Sequence, residues 1–272
     1  MTAPALVLLA HGSTSNKVAE VAHAMRVGLQ TARPEVSVHA CFLDHCPPSG
    51  PQVIARIARS RTTEVVFVPM NLASTFGTDP GVDKMVETVS AAHPKLRFAV
   101  SRPVGPEASL LSLVDRRLRD ALSAAHAYEL DGLVLCAEGT HDQRSQSLLS
   151  RRARQWSMHH KLPVVTATAN GMSRATAAAI GSLRSQGRRH IAVGSLFLAP
   201  DETWQHQAEQ ARSAGAIAVS EPLGAEDELL DIAWGRYAVA AMGLIDFGIT
   251  DAEAEETAAA ESAERHLQVV GA

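Results

Sequence analysis

Cysteine is scarce in this chain: three residues (Cys41, Cys46, Cys136) among 272, with no Cys-x-x-Cys pair. That excludes a disulfide framework and fits a reducing cytoplasm. Aromatic residues make up only 4%, so the cores must be built from Val, Leu, Ile and Ala. A basic surplus is also missing. The 25 Lys and Arg face 29 Asp and Glu, for a formal charge of −4, which argues against a dedicated nucleic-acid binder. No run approaches the roughly 18 apolar residues of a membrane span. The opening MTAPALVLLAHGS has an apolar stretch but no basic segment ahead of it, and reads as a first strand rather than a leader. The expectation is a soluble cytoplasmic protein with no membrane or nucleic-acid partner. His-x-x-x-His, HExxH, Gly-x-Ser-x-Gly, Walker A and GxGxxG patterns are absent. A zincin and the common nucleotide-binding loops drop out with them.

What is present is ordinary globular material, 46% hydrophobic and 20% charged. Its length suits about two domains at roughly 150 residues each. Short apolar runs at 5–10, 36–43, 65–70, 97–100, 133–137, 164–169, 191–198 and 216–219 predict strands. Several are continuous rather than alternating, as in strands covered on both faces. Helical spacing separates them: Val18, Val21, Met25 and Leu29 within 17–30, and Leu149, Ala153 and Trp156 within 143–158. Strand and helix in alternation predict mostly parallel sheets with helices on both faces.

The chain also repeats itself. LVLLAHGS (from Leu6) returns as LVLCAEGT (from Leu133), VFVPMNLAS (from Val66) as AVGSLFLAP (from Ala192), and SRPVGPEASLL (from Ser101) as SEPLGAEDELL (from Ser220). Three matches in one order predict a tandem duplication of a four-stranded α/β domain. The expected domains are 1–124 and 131–247, followed by an acidic Ala/Glu-rich extension, 250–272.

In open α/β sheets, ligands bind beyond the carboxyl ends of the strands. The residues there are His11, Gly12 and Ser13; Asp44 and His45; Asn71 through Asp79; and in the second copy Glu138, Gly139 and Thr140, then Phe197 through Thr203. His11 is the sharpest candidate, since a neutral imidazole suits divalent iron, cobalt, nickel or zinc. Its position serves a local hydrogen-bonding or capping role equally well. Asp44 reads as a ligand, a proton acceptor or a turn residue. His141 and His206 fall near the second copy's strand ends. Of the remaining histidines, His23 lies in a helix and His39 within the second strand, and the others, His159 and His160 among them, read as surface or element-end residues. The basic clusters at Arg151, Arg152 and Arg154, and at Arg184, Arg188 and Arg189, read as solvated helix faces able to receive an acidic ligand.

A duplicated α/β chain opening with LVLLAHGS resembles the class II chelatases, the sirohydrochlorin ferrochelatases and anaerobic cobaltochelatases. AHGS (from Ala10), CFLD (from Cys41), VFVPMNLAS and RPVGP (from Arg102) carry the likeness. SLFLAP, EPLG and Arg236-Tyr237 look like the degenerate second half of the long, two-domain members. The resemblance implies two α/β lobes facing across a cleft, with Fe²⁺ or Co²⁺ inserted into a cyclic tetrapyrrole there and no organic cofactor. It implies His11 and Asp44 as catalytic residues, and His11, Asp44 and His45 as metal ligands. Ser13, Asn71 and Glu138 are expected against the macrocycle. A monomer is expected, with a homodimer as the alternative. One departure stands out: the family's second histidine, expected after an aromatic residue in the loop that follows strand three, is replaced here by Gly77 after Phe76. That departure gives an alternative reading, a non-catalytic relative that binds and delivers metal or tetrapyrrole.

Overall fold

The computed structural model describes residues 3–75, 77, 79–140 and 142–244. Its first sheet contains β1 (Ala5–Ala10), β2 (Val38–Phe42), β3 (Glu64–Pro69) and β4 (Arg97–Val100), parallel, in the order β2-β1-β3-β4. The second contains β5 (Gly132–Glu138), β6 (Val164–Ala169), β7 (Ile191–Leu196) and β8 (Ala218–Val219), parallel, in the order β6-β5-β7-β8. The two orders are identical, as a duplication requires. Some strands are shorter than expected: 36–43 contracts to β2, 191–198 to β7 and 216–219 to the two residues of β8. Of the trimmed residues, Leu43, Phe197 and Leu198 leave the carboxyl ends of β2 and β7 for the turns that carry the site, whereas 36–37 and 216–217 precede their strands.

All six residues of β1 are buried, because helices cover both faces. Ala5, Val7 and Leu9 meet α2 (Gly50–Ile57) and α3 (Pro80–Ala92). Leu6, Leu8 and Ala10 belong to a second core with α1 (Asn16–Ala32). In the second sheet, Val134 and Cys136 pack with α6 (Ala175–Ser185) and α7 (Glu202–Ser213), while Leu133, Leu135 and Ala137 share a core with α5 (Gln143–His160).

The remaining two helices change sides. α4 (Leu110–Ala124) follows the first sheet in the chain but packs on β7 and β8. α8 (Asp227–Met242) follows the second sheet but packs on β3, β4 and α1. One continuous hydrophobic core therefore runs through both halves. Polar bonds fix the exchange. Tyr237 donates to the Pro4 carbonyl at 2.7 Å, Arg236 donates to the Pro103 carbonyl at 2.9 Å and pairs with Glu107, and Arg116 and Arg117 pair with Glu226. No described helix is long and apolar enough to cross a membrane. The expected extension, 250–272, and the end of the second repeat, 245–247, lie outside the described residues.

Candidate functional site

The carboxyl ends of both sheets open on one cleft, lined by His11, Met70 and Asn71 from the first half and Glu138, Phe197 and Asp201 from the second. Its volume is about 60 Å³. At about 10–15 Å³ per water, that admits an ion with a few waters but no macrocycle.

His11 is held by the turn around it. A Cβ on Gly12 would lie 1.8 Å from the Asp44 carbonyl oxygen, so only glycine lets the two strand ends close. The Gly12 N–H then donates to Asp44 Oδ1 at 2.7 Å. Beyond it, the Ser13 hydroxyl donates to Glu202 at 2.5 Å, and the Thr14 hydroxyl donates to the same carboxylate. These bonds draw the Glu202 pKa down to about 2. Because Glu202 begins α7, the second half grips the loop that carries His11.

His11 Nε2 lies 2.6 Å from Asp79 Oδ2. Asp79 is the N-cap of α3, and its other oxygen accepts the Gly81 N–H at 2.9 Å. One carboxylate thus serves a helix terminus and an imidazole together. The Asp79 hydrogen bond is the main force raising the His11 pKa; burial opposes it, and the charges of Asp79, Glu138 and Asp44 add to it. In return, chiefly through the bond to His11, the Asp79 pKa is lowered.

The second half repeats this design with different chemistry. Glu138 ends β5 as His11 follows β1, and Asp201 caps α7 by accepting the Trp204 N–H at 2.8 Å. Gly139 copies Gly12, since a Cβ there would lie 1.6 Å from Asn170 Oδ1. Burial first, and Asp201 second, push the Glu138 pKa up. Burial raises the Asp201 pKa as well.

Beside the cleft runs a groove of about 580 Å³, lined by Thr75, Arg102, Arg144, Ser147, Leu148 and Arg151. The Thr75 N–H donates to Ser145 Oγ at 2.9 Å, joining the halves next to it. Among the described residues, no carboxylate pairs with Arg102, Arg144 or Arg151.

The structure brings His11, Asn71 and Glu138 to the cleft. The other expected residues are placed differently. Ser13 is committed to Glu202, and Asn71 Oδ1 accepts the amides of Ala73 and Ser74. Asp44 stands behind Gly12 and reaches His11 through its field. His45 is exposed, at φ +52°, with Nε2 3.8 Å from Asp44 Oδ2 and outside the cleft lining. His206 lies 3.1 Å from the Met172 carbonyl oxygen, and His141 and Phe76 fall outside the described residues. Gly77 sits at φ +72° with open space around it, and the group that meets His11 from its loop is the Asp79 carboxylate. Asp79, Asp201 and Glu202 fall inside the expected strand-end segments 71–79 and 197–203 without being individual candidates. Arg151 belongs to a basic cluster expected to be able to receive an acidic ligand, and Arg102 and Arg144 are not site candidates in the sequence. The signal for the two aspartates was their shared N-cap position in the loops after the two third strands.

Residues 5–121 match the model of the CbiX family. No curated protein matches the sequence. Two solved structures from Bacillus subtilis are similar over nearly their whole length. SirB with Fe³⁺ has a TM-score of 0.72 at 17% identity, covering 90% of this chain and 99% of that one. The sirohydrochlorin chelatase SirB in complex with cobalt, from subspecies spizizenii, has a TM-score of 0.71 at 14% identity, covering 88% and 96%. DR2241 of Deinococcus radiodurans, a multi-domain protein with structural similarity to chelatases, has a TM-score of 0.58 at 17% identity, covering 88% of this chain and 55% of that one. The chain has the chelatase fold.

Proposed function

We propose, for a chain whose residues 5–121 match the CbiX family model, that its cleft inserts Fe²⁺ or Co²⁺ into a cyclic tetrapyrrole of the sirohydrochlorin type. The observation that carries this reading is His11 on one wall of the cleft, bonded to Asp79 behind it, with Glu138 on the other wall. The metal is a substrate here, so the site must hold it and then give it up. An imidazole nitrogen beside a carboxylate oxygen offers two ligands of the type divalent iron and cobalt accept. The remaining coordination positions are left to water and then to the pyrrole nitrogens. An ion held by two protein groups is ready to leave.

The proton balance fits the same residues. Insertion releases two N–H protons for each divalent ion taken up. Metal binding requires His11 to be unprotonated. As the ion moves onto the macrocycle, His11 Nε2 is freed and accepts one proton, its basicity raised by Asp79. Glu138, whose pKa burial has raised, accepts the other. Because the cleft is too small for the macrocycle, the ring lies across its mouth. There its carboxylate arms reach the groove lined by Arg102, Arg144 and Arg151.

The test is metal insertion into sirohydrochlorin, followed by the absorption change of the macrocycle. The expected result is acceleration with Fe²⁺ or Co²⁺ that His11→Ala abolishes, with the melting temperature kept within a few degrees. Among the described residues His11 is the one histidine lining the cleft, which favours a second reading, a carrier that binds metal or tetrapyrrole without turnover. Tetrapyrrole binding with no acceleration would establish the carrier and overturn the enzyme.

A further inference from the structure

Outside the cleft, Asp115 of α4 meets His159 and His160 at the last turn of α5, with one ligand atom of each lying within 4.8 Å of the others. No other such group of three occurs among the described residues. Neighbours on a helix diverge by about 100°, so both imidazoles reach the carboxylate only because it sits between them. Asp115 is buried at 9% exposure, where the exchanged helix α4 shares a core with α5. Trp156 Nε1 donates to its Oδ1 at 2.5 Å, and His160 Nε2 lies 2.7 Å from the same oxygen. The second oxygen, Oδ2, faces His159 Nε2 at 3.9 Å. No described Lys or Arg pairs with this carboxylate.

A buried carboxylate is ordinarily paired with a cation or coordinated to a metal. The indole bond fixes Asp115 as hydrogen bonds fix ligating carboxylates elsewhere, with Oδ1 against His160 and Oδ2 turned toward His159. We infer that Asp115, His159 and His160 form a second divalent transition-metal site, independent of the cleft, that ties the two halves of the chain together. Nitrogen ligands about 2.0–2.1 Å from an ion lie about 3.4 Å apart when tetrahedral. The required contraction falls on His159, whose side chain is 72% exposed and free to turn inward. Two imidazoles and one carboxylate suit Zn²⁺, Co²⁺ or Ni²⁺ rather than Mg²⁺ or Ca²⁺, and leave a position for water. The C-terminal end of α5 adds its negative dipole to the field around the ion. With the carboxylate on α4 and the imidazoles on α5, a bound ion links segments that lie on opposite sides of the repeat junction.

The experiment uses the full chain carrying His11→Ala, so that the cleft's imidazole is gone. Co²⁺ is titrated by calorimetry and by its visible absorption, and thermal melting is recorded with and without Co²⁺. The expected result is one equivalent bound and a metal-dependent rise in melting temperature. Adding His159→Gln and His160→Gln should weaken that equivalent at least tenfold and cancel the rise. Asp115→Asn, which keeps an acceptor for the indole, should do the same; if it fails to fold, the exposed His159→Gln alone decides. No Co²⁺ bound by His11→Ala, or unchanged binding in the His159→Gln/His160→Gln background, would overturn the proposal.

Discussion

Glu138 stands at the end of β5 in the place that His11 takes after β1, and the two line one cleft from different halves. The duplication thus kept the backbone and changed the chemistry. One wall carries a nitrogen base with its acid partner, and the other a carboxyl whose pKa is raised by burial and by Asp201. If Glu138 accepts a proton during insertion, Glu138→Gln should slow turnover by about 10²–10⁴-fold, the usual weight of a general base. Co²⁺ affinity should stay within about threefold of wild type, since the imidazole and Asp79 remain. Insertion kinetics beside calorimetry separate the two effects, and an unchanged rate would remove Glu138 from the reaction.

The His11–Asp79 bond should be visible in the apo-protein's titration. His11 should titrate above the ordinary 6.5, because Asp79 favours its charged form. Asp79→Asn removes the largest cause of that shift, so the midpoint should fall. The sign for stability follows. A histidine with a raised folded pKa contributes stability that is fully present below the unfolded value and lost as pH rises through the folded one. Wild type should therefore lose melting temperature, relative to Asp79→Asn, as pH rises from about 6.5 through the His11 midpoint. Imidazole proton NMR across this range reads the midpoint, and coincident curves for the two proteins would show that the pair does not form in solution.

The groove arginines should govern the macrocycle and leave the metal alone. Arg144→Gln with Arg151→Gln should raise KM for a polycarboxylate tetrapyrrole by about tenfold or more, as loss of charge-assisted hydrogen bonds does. High salt should produce a weaker version of the same change in wild type. Co²⁺ affinity should not move. A KM unaffected by both substitutions would mean that the carboxylate arms lie elsewhere.

Much of this architecture was legible in the sequence, for reasons that also mark where legibility stopped. Strands buried on both faces write themselves as unbroken apolar runs, and the duplication fixed their order. The helix exchange could not be read. The stripe Leu110, Leu113, Val114 and Leu118 says that α4 buries one face, but not which sheet it meets. Asp79 was hidden by its own adequacy, because an aspartate before Pro80 is fully explained as a helix cap. Nothing local reveals that its second oxygen meets an imidazole 68 residues away. The same holds for Glu202, which clamps a loop 188 and 189 residues earlier in the chain. His159 and His160 looked like surface residues because the carboxylate between them comes from the other half of the duplication.

The position of His11 depends most on a residue with no side chain. A methyl group on Gly12 would meet the backbone of Asp44, at 1.8 Å from its carbonyl oxygen and 2.7 Å from its carbonyl carbon. Neither atom can rotate away, so the turn itself must move. That breaks the Gly12 N–H bond to Asp44 and swings His11 away from Asp79. Gly12→Ala should cost about 1–3 kcal/mol, as overpacking does. Its melting temperature should drop by about 2–4 °C per kcal/mol. Co²⁺ affinity should fall with it, because His11 and Asp79, the proposed ligands, no longer converge. Gly181→Ala is the control. That glycine lies within α6 with nothing within 4 Å of an added Cβ, so alanine there should stabilise by about 0.5–1 kcal/mol and leave metal binding unchanged. Opposite shifts in melting, with metal affinity lost only at Gly12, would trace the effect to the crowded turn. A Gly12→Ala variant that melts and binds Co²⁺ like wild type would mean that the Gly12 and Asp44 turns do not close on one another.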